Sequence, residues 1–162
     1  VISITDDDPP PVLSFNSVTG TEGDIQTVTF TIPTIIDFDV TANLTNTSRL
    51  SFNSNILTIP AGSLTQDIQL TMIDNNIDEP AQSIQVSLEN LTNATTAQTL
   101  SVFLSNNDSP SVITFSGVTA ELIEGNSGTI SFTLDRVSGY DITVPLTISG
   151  TVDQTDYSFG AT

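Results

Sequence analysis

Apolar and polar residues alternate along most of the chain, which is the period of a β-strand with one buried face. No stretch shows a helical period longer than a turn, and Thr, Val and Ile, which favour strands, are abundant. Seven segments carry this alternation, and we label them predicted strands A to G: 12–16, 26–32, 38–45, 55–59, 64–73, 83–89 and 98–104. They predict an all-β fold, an immunoglobulin-like antiparallel sandwich.

The beginning and the end of the chain resemble each other. Residues 1–15 align without a gap on 101–115, and after a two-residue insertion Phe30 falls on Phe132. A spacing of about one hundred residues is the size of one such sandwich, so the pattern predicts tandem repeats. We expect three parts: the last strand and linker of a preceding repeat (1–10), one complete sandwich (11–108), and the N-terminal half of the next repeat (109–162).

The partial repeat lacks the equivalents of strands E, F and G. We therefore expect strand edges and one core face to stay uncovered, so that 111–162 is not stable by itself. The chain opens on a strand-like segment and shows no signal peptide or membrane-spanning run, so we expect it to be an interior piece of a longer protein.

The charge of the chain is strongly one-sided. Nineteen acidic residues stand against two basic ones, Arg49 and Arg136, for a net charge of -17. Nucleic acid and anionic membranes would repel such a chain, and we expect neither nucleic-acid binding nor membrane insertion of this segment. The sequence has no Cys or His, which zinc and copper prefer as ligands, and it offers an enzyme only carboxylates at loop ends. We expect no catalysis.

Strand direction predicts where the acidic side chains meet. Because each strand reverses the chain, the A–B and E–F turns and the segment after G emerge at one end of the sandwich. We call the residues there the acidic end: Glu22, Asp24, Asp74, Asp78, Glu79 and Asp108. Neighbouring carboxylates repel unless a cation lies among them, and Ca²⁺ takes about six to eight oxygen ligands of this kind. The alternative is a set of ordinary acidic turns, which Asp and Asn also stabilise.

Short motifs resemble those of the Calx-β domain, a family found in sodium/calcium exchangers, an integrin subunit and large bacterial surface proteins. They are Glu22-Gly23 after strand A, the acidic turn 74–79, the run Asp6-Asp7-Asp8, and Gly150-Thr151 followed by Asp156-Tyr157. The resemblance implies Ca²⁺ ligands at matching positions, to which the acidic turn adds Asp78: Glu22, Asp74, Glu79 and Asp108 in the complete repeat, Glu124 and Asp156 in the partial one, and Asp6, Asp7 and Asp8 for the preceding repeat.

The complete repeat departs from the family pattern. It has 46–49 (Asn-Thr-Ser-Arg) where the family has Asp-Tyr, and Gln82 where the family often has Glu. We therefore expect it to bind fewer Ca²⁺ ions, or to bind them more weakly, and we expect Arg49 to occupy part of the vacated site.

These features favour a non-catalytic, calcium-stiffened structural repeat of an extracellular cell-surface or secreted protein, such as an adhesin stalk or a filament-forming matrix protein. Its partners would be neighbouring repeats and other copies of the same protein. The acidic end should face the turn 135–141 of the next repeat, where Ca²⁺ would fix the angle between repeats. Two alternatives stay open: a carbohydrate-binding module, which the lack of Trp disfavours, and a calcium-sensor domain of a membrane exchanger, which the lack of Lys disfavours.

Overall fold

The computed structural model describes residues 2, 7–96, 98–117, 123, 125–147, 149–151 and 155–160. Their regular structure is all β, and none of them belongs to a helix long and apolar enough to cross a membrane. The strands are β1 (Ser14–Phe15), β2 (Val18–Thr21), β3 (Ile25–Thr31), β4 (Val40–Asn43), β5 (Leu50–Phe52), β6 (Ile56–Ile59), β7 (Thr65–Met72), β8 (Gln82–Val86), β9 (Glu89–Thr92), β10 (Leu100–Ser105), β11 (Ile113–Ser116) and β12 (Ser131–Leu134).

The first ten strands form the two layers of an immunoglobulin-like sandwich, which confirms the predicted fold class. One layer is the antiparallel sheet β1-β3-β7-β5. The other consists of two three-stranded sheets, β2-β10-β8 and β6-β4-β9, which are linked because β9 follows β8 along the chain.

The core lies between the layers and is made of alternate strand residues. On β3, Val28 and Phe30 are fully buried, while Thr27 on the opposite face of the same strand is exposed. Alternate residues of β7 and β10 are buried as well: Ile68, Leu70 and Met72, and Leu100, Val102 and Leu104. On β8 only Val86 is buried, and Ile84 packs at the edge of the core. The hydrophobic pattern thus identified the buried face of the long strands correctly.

Strand A differs from its prediction, because it is divided between the layers. β1 pairs antiparallel with β3, whereas β2 pairs parallel with β10. The chain changes sheets at Asn16 and Ser17, which interrupt the apolar alternation. As a result β2 ends beside the end of β10.

Two further strands were not predicted. β5 has only three residues, with Leu50 and Phe52 buried, and this is too short for a period to show. Predicted strand F stops at Val86, and β9 follows with Asn90 and Asn93 in the left-handed region at φ of 52° and 58°. Asn tolerates that region, so β9 pairs with β4 without a regular alternation of polar and apolar residues.

Beyond the first ten strands the described residues contain one hairpin, β11–β12, paired antiparallel. Its side chains are mostly exposed, and an exposed apolar stretch follows it: Ile142, Val144 and Leu146. Uncovered apolar side chains are what half of a sandwich would present, and the division of the chain into repeats stays a prediction.

Candidate functional site

The turn after β2 places one carboxylate inside the acidic end. Glu22 N donates to Ser105 O at 3.1 Å, since β2 and β10 run in parallel and end together. Gly23 then donates to Met72 O at 2.9 Å with φ of 85°, a backbone conformation that favours glycine. Glu22 is only 4% exposed. The ends of β2, β7 and β10 therefore meet here, as strand direction predicts.

Arg49 lies between two of the predicted ligands. Its Nη2 contacts Glu22 Oε1 and its Nη1 contacts Glu79 Oε1. The three side chains are 15%, 1% and 16% exposed for Arg49, Glu22 and Glu79. Arg49 is held there because its carbonyl accepts from Ile73 N at 2.8 Å, just before β5 pairs with β7. Arg49 thus lies between Glu22 and Glu79, and its occupation of a vacated calcium site stays a prediction.

The loop between β7 and β8 is tied to the same pair of carboxylates. Asn75 N donates to Glu22 Oε2 at 3.3 Å, and Asn75 Nδ2 donates to Glu79 Oε1 at 3.3 Å. Asn75 Oδ1 accepts from Ile77 N at 2.6 Å, which turns the loop back on itself. Glu22 and Glu79 are thus held by a cation and by amide donors.

Two Asn residues after β10 contact the remaining carboxylates. Asn106 Nδ2 donates to Asp78 Oδ1 at 2.8 Å. Asn107 Nδ2 donates to Asp74 Oδ1 at 3.3 Å and to Glu22 O at 3.1 Å. The nitrogen atoms of both amides therefore face the carboxylates.

Asp108 completes this side of the site. Its backbone N donates to Asn106 Oδ1 at 3.3 Å, and its Oδ2 is fully enclosed. Among the described residues no donor reaches this oxygen, and no acceptor lies within hydrogen-bonding distance of the enclosed Nε of Arg49. An enclosed carboxylate oxygen without a partner costs about 1–3 kcal/mol, so it favours capture of a cation.

The structure therefore gathers five predicted ligands: Glu22, Asp74, Asp78, Glu79 and Asp108. Asp24 instead closes the turn after β2, where its Oδ2 accepts from Thr21 N at 2.8 Å. Three other predicted ligands are exposed: Asp7, Asp8 and Asp156. Asp6 and Glu124 lie outside the described residues. In the described part of the chain, no three carboxylates are arranged as a ready metal cage.

The acidic end has two sides that differ in chemistry. On one side Arg49 fills the space between Glu22 and Glu79, so a second cation does not fit there. On the other side lie Asp74, Asp78 and Asp108 with the amides of Asn106 and Asn107. These are hard oxygen donors of the type that Ca²⁺ prefers, and no donor among the described residues reaches the enclosed Asp108 Oδ2.

The acidic end contacts the turn 135–141, as expected. Asp78 O accepts from Gly139 N at 2.9 Å, and Asp78 forms a parallel β-bridge with Ser138. A Cβ on Gly139 would lie 2.6 Å from Glu79 Cβ, which is closer than two non-bonded carbon atoms can approach. The contact therefore depends on glycine, and the polar pattern of the sequence contains no signal for it.

The base of this turn is also fixed by a carboxylate. Asp135 Oδ1 accepts from Val112 N at 2.7 Å, and Asp135 N donates to Val112 O at 3.0 Å. The Val112 amide, and to a smaller extent the neighbouring Arg136 guanidinium, hold the pKa of the Asp135 carboxyl below its ordinary value. Asp135 thus stays ionised and joins the turn to the linker before β11.

No protein-family model matches the chain, and no curated protein matches it. Solved structures do. CBD12 from CALX1.2 aligns with a TM-score of 0.52 at 16% identity, over 72% of this chain and 53% of that structure. The apo form of the Calx CBD1 domain aligns with a TM-score of 0.50 at 14% identity, over 60% of this chain and 97% of that structure. The calcium binding domain CBD12 of CALX1.1 aligns with a TM-score of 0.49 at 13% identity, over 75% and 69%.

The chain spans about half of the first of these structures. At such low identity the likeness concerns the fold alone. It shows that the sandwich is of the kind seen in the Calx CBD domains.

Proposed function

We propose that the chain is a non-catalytic, calcium-binding β-sandwich repeat, whose ion is held on the Asp74, Asp78 and Asp108 side of the acidic end. The observation that carries the proposal is the enclosed Asp108 Oδ2, for which the described residues offer no hydrogen-bond donor. A carboxylate in this condition is stabilised by a cation. Rotation of the Asn106 and Asn107 amides would add neutral oxygen ligands to it.

Charge and fold support the proposal. The chain has nineteen acidic residues and two basic ones, so there are too few Arg and Lys side chains to neutralise most of its carboxylates. The sandwich is of the kind seen in Calx CBD1 and CBD12. Two of the motifs that resemble the Calx-β family, Glu22-Gly23 and the turn 74–79, fall in the loops that form the acidic end.

The setting in a larger protein is part of the same proposal. The repeat would serve as a spacer in an extracellular surface or secreted protein, such as an adhesin stalk or a filament-forming matrix protein. The contact of Asp78 with Gly139 supports it, because with the predicted boundary after residue 108 it would pack one repeat against the beginning of the next. An ion at Asp78 and Asp108 would join the loop after β7 to the linker after β10.

An aromatic platform for carbohydrate is less well supported. Phe115 and Phe132 form an exposed ring pair with centroids 6.4 Å apart. They align, however, on Phe15 and Phe30, whose rings are 5.4 Å apart and belong to the core of the sandwich. The exposed pair is therefore explained as the same core pair without its cover.

Thermal unfolding in calcium tests the proposed function. Extracellular calcium modules bind with dissociation constants of about 10⁻⁴–10⁻³ M. At a free Ca²⁺ concentration about ten times that constant, linkage adds about 1.4 kcal/mol, and Tm should rise by about 5 °C. The Asp108→Asn variant should lose most of this rise, because the substitution removes the charge and preserves the shape.

The matched control is Asp37→Asn, which removes the same charge from an exposed residue at the opposite end. It should keep the full rise. Sodium chloride at equal ionic strength should not replace calcium, since screening weakens repulsion without coordinating the loops. If salt gives the same rise, or if Asp108→Asn and Asp37→Asn respond alike, the acidic end is an ordinary solvated surface.

A further inference from the structure

The Arg49 guanidinium occupies a position that only a cation can fill. It bridges Glu22, whose side chain is 1% exposed, and Glu79, which comes from a loop thirty residues further along the chain than Arg49 itself. A guanidinium keeps its charge at all ordinary pH values and its planar fork fits two carboxylates at once. A buried carboxylate such as Glu22 needs a partner of this kind.

In the sequence, the position of Arg49 carries the opposite charge in the second copy of the motif. The Ser51-Phe52 pair of the complete repeat matches Ser158-Phe159 of the partial one, and this alignment sets Arg49 on Asp156. One repeat therefore has a fixed cation where the next has a carboxylate.

The Arg49 contact continues into the next repeat. Arg49 fixes Glu79, and Glu79 Cβ forms the surface against which Gly139 packs. The adjacent Asp78 O accepts the Gly139 N–H at 2.9 Å. The ion pair and the contact between repeats are thus consecutive parts of one loop.

We infer that Arg49 is a built-in replacement for a metal ion, which locks the loop after β7 onto the turn 135–141 and keeps this junction closed without calcium. The inference does not rest on the proposed calcium site, which lies on the other side of the acidic end. The junction beside Arg49 should therefore stay closed when calcium is removed.

Hydrogen exchange of the Gly139 amide, measured by NMR on the whole chain in a chelator, tests the inference. In the unaltered protein this amide should be protected. In Arg49→Gln it should exchange about tenfold faster or more, because the loop loses its anchor and opens locally. The amides of Val28 and Leu70, which belong to the β3–β7 ladder, should stay protected and show that the sandwich remains folded.

Arg136→Gln is the matched control, because it removes the other arginine of the chain, which is half exposed and pairs with Asp135. It should leave the Gly139 amide protected. If Arg49→Gln fails to fold, the same exchange measurement is made on the double variant Glu22→Gln with Arg49→Gln. This variant leaves no unpaired charge at position 22 and still releases Glu79 from its ion pair. The double variant should also show fast exchange at Gly139.

Three results would overturn the inference. One is slow exchange at Gly139 in a folded variant that lacks Arg49. Another is an equal acceleration in Arg136→Gln, which would mean that net charge holds the junction. The third is protection of Gly139 in the unaltered protein only after calcium is added. A missing calcium effect on Tm would contradict the proposed function and leave this inference unaffected.

Discussion

Replacing Arg49 with methionine should lower the free energy of unfolding by about 3 kcal/mol, even though Arg49 lies outside the hydrophobic core. The cause is Glu22, which is 4% exposed and would remain as a buried charge without its cation. Methionine retains most of the packing volume of the side chain, so the loss reports the charge. Urea unfolding in the presence of a chelator measures it.

The double variant Glu22→Gln with Arg49→Met separates the ion pair from packing. It should recover most of the lost stability, because no charge is left buried and Gln still accepts the Asn75 N–H. A double variant that is no more stable than Arg49→Met would show that the side chain acts through its contacts alone. Calcium should also stabilise Arg49→Met more than the unaltered protein, since removal of the guanidinium exposes two carboxylates to the ion.

Replacing Phe30 with alanine should cost about 3–5 kcal/mol, the usual loss for a large buried aromatic residue. Phe30 is fully buried on β3 and packs against Phe15 with ring centroids 5.4 Å apart. The variant Phe132→Ala changes the residue at the equivalent position of the predicted partial repeat, and this residue is 43% exposed. Its cost should stay within about 1 kcal/mol, as for surface positions.

This pair of variants also tests the predicted division of the chain. If 109–162 is half of a sandwich, the same residue type at matching positions has a large effect in one repeat and a small one in the other. Chemical unfolding followed by circular dichroism gives both values. Equal losses would mean that the second segment has a closed core of its own and that the boundaries at 108 and 109 are wrong.

Alternation of residues was sufficient for the long strands. β3, β7 and β10 bury the residues that their pattern predicts, because each has one face on the core. It was insufficient where pairing depends on partners distant in sequence. The division of strand A between β1 and β2 follows from the parallel partner β10, and no local pattern contains that information.

The candidate site was predictable to a similar extent. Strand direction brought Glu22, the turn 74–79 and Asp108 to one end, and the structure joins them through hydrogen bonds. The position of Arg49 followed from its place in the motif. The close approach of Gly139 was not predictable, because it depends on how the turn 135–141 packs against the acidic end rather than on the composition of either.

The most direct measurement is a calcium titration of the whole chain, followed by the NMR shifts of the side-chain carboxyl carbons. The carboxyls of Asp74, Asp78 and Asp108 should shift together and saturate at about 10⁻⁴–10⁻³ M Ca²⁺. Those of Asp37 and Asp67, at the opposite end of the sandwich, should stay in place. Small shifts spread over all acidic residues, or shifts that sodium chloride reproduces at the same ionic strength, would contradict a calcium site at the acidic end.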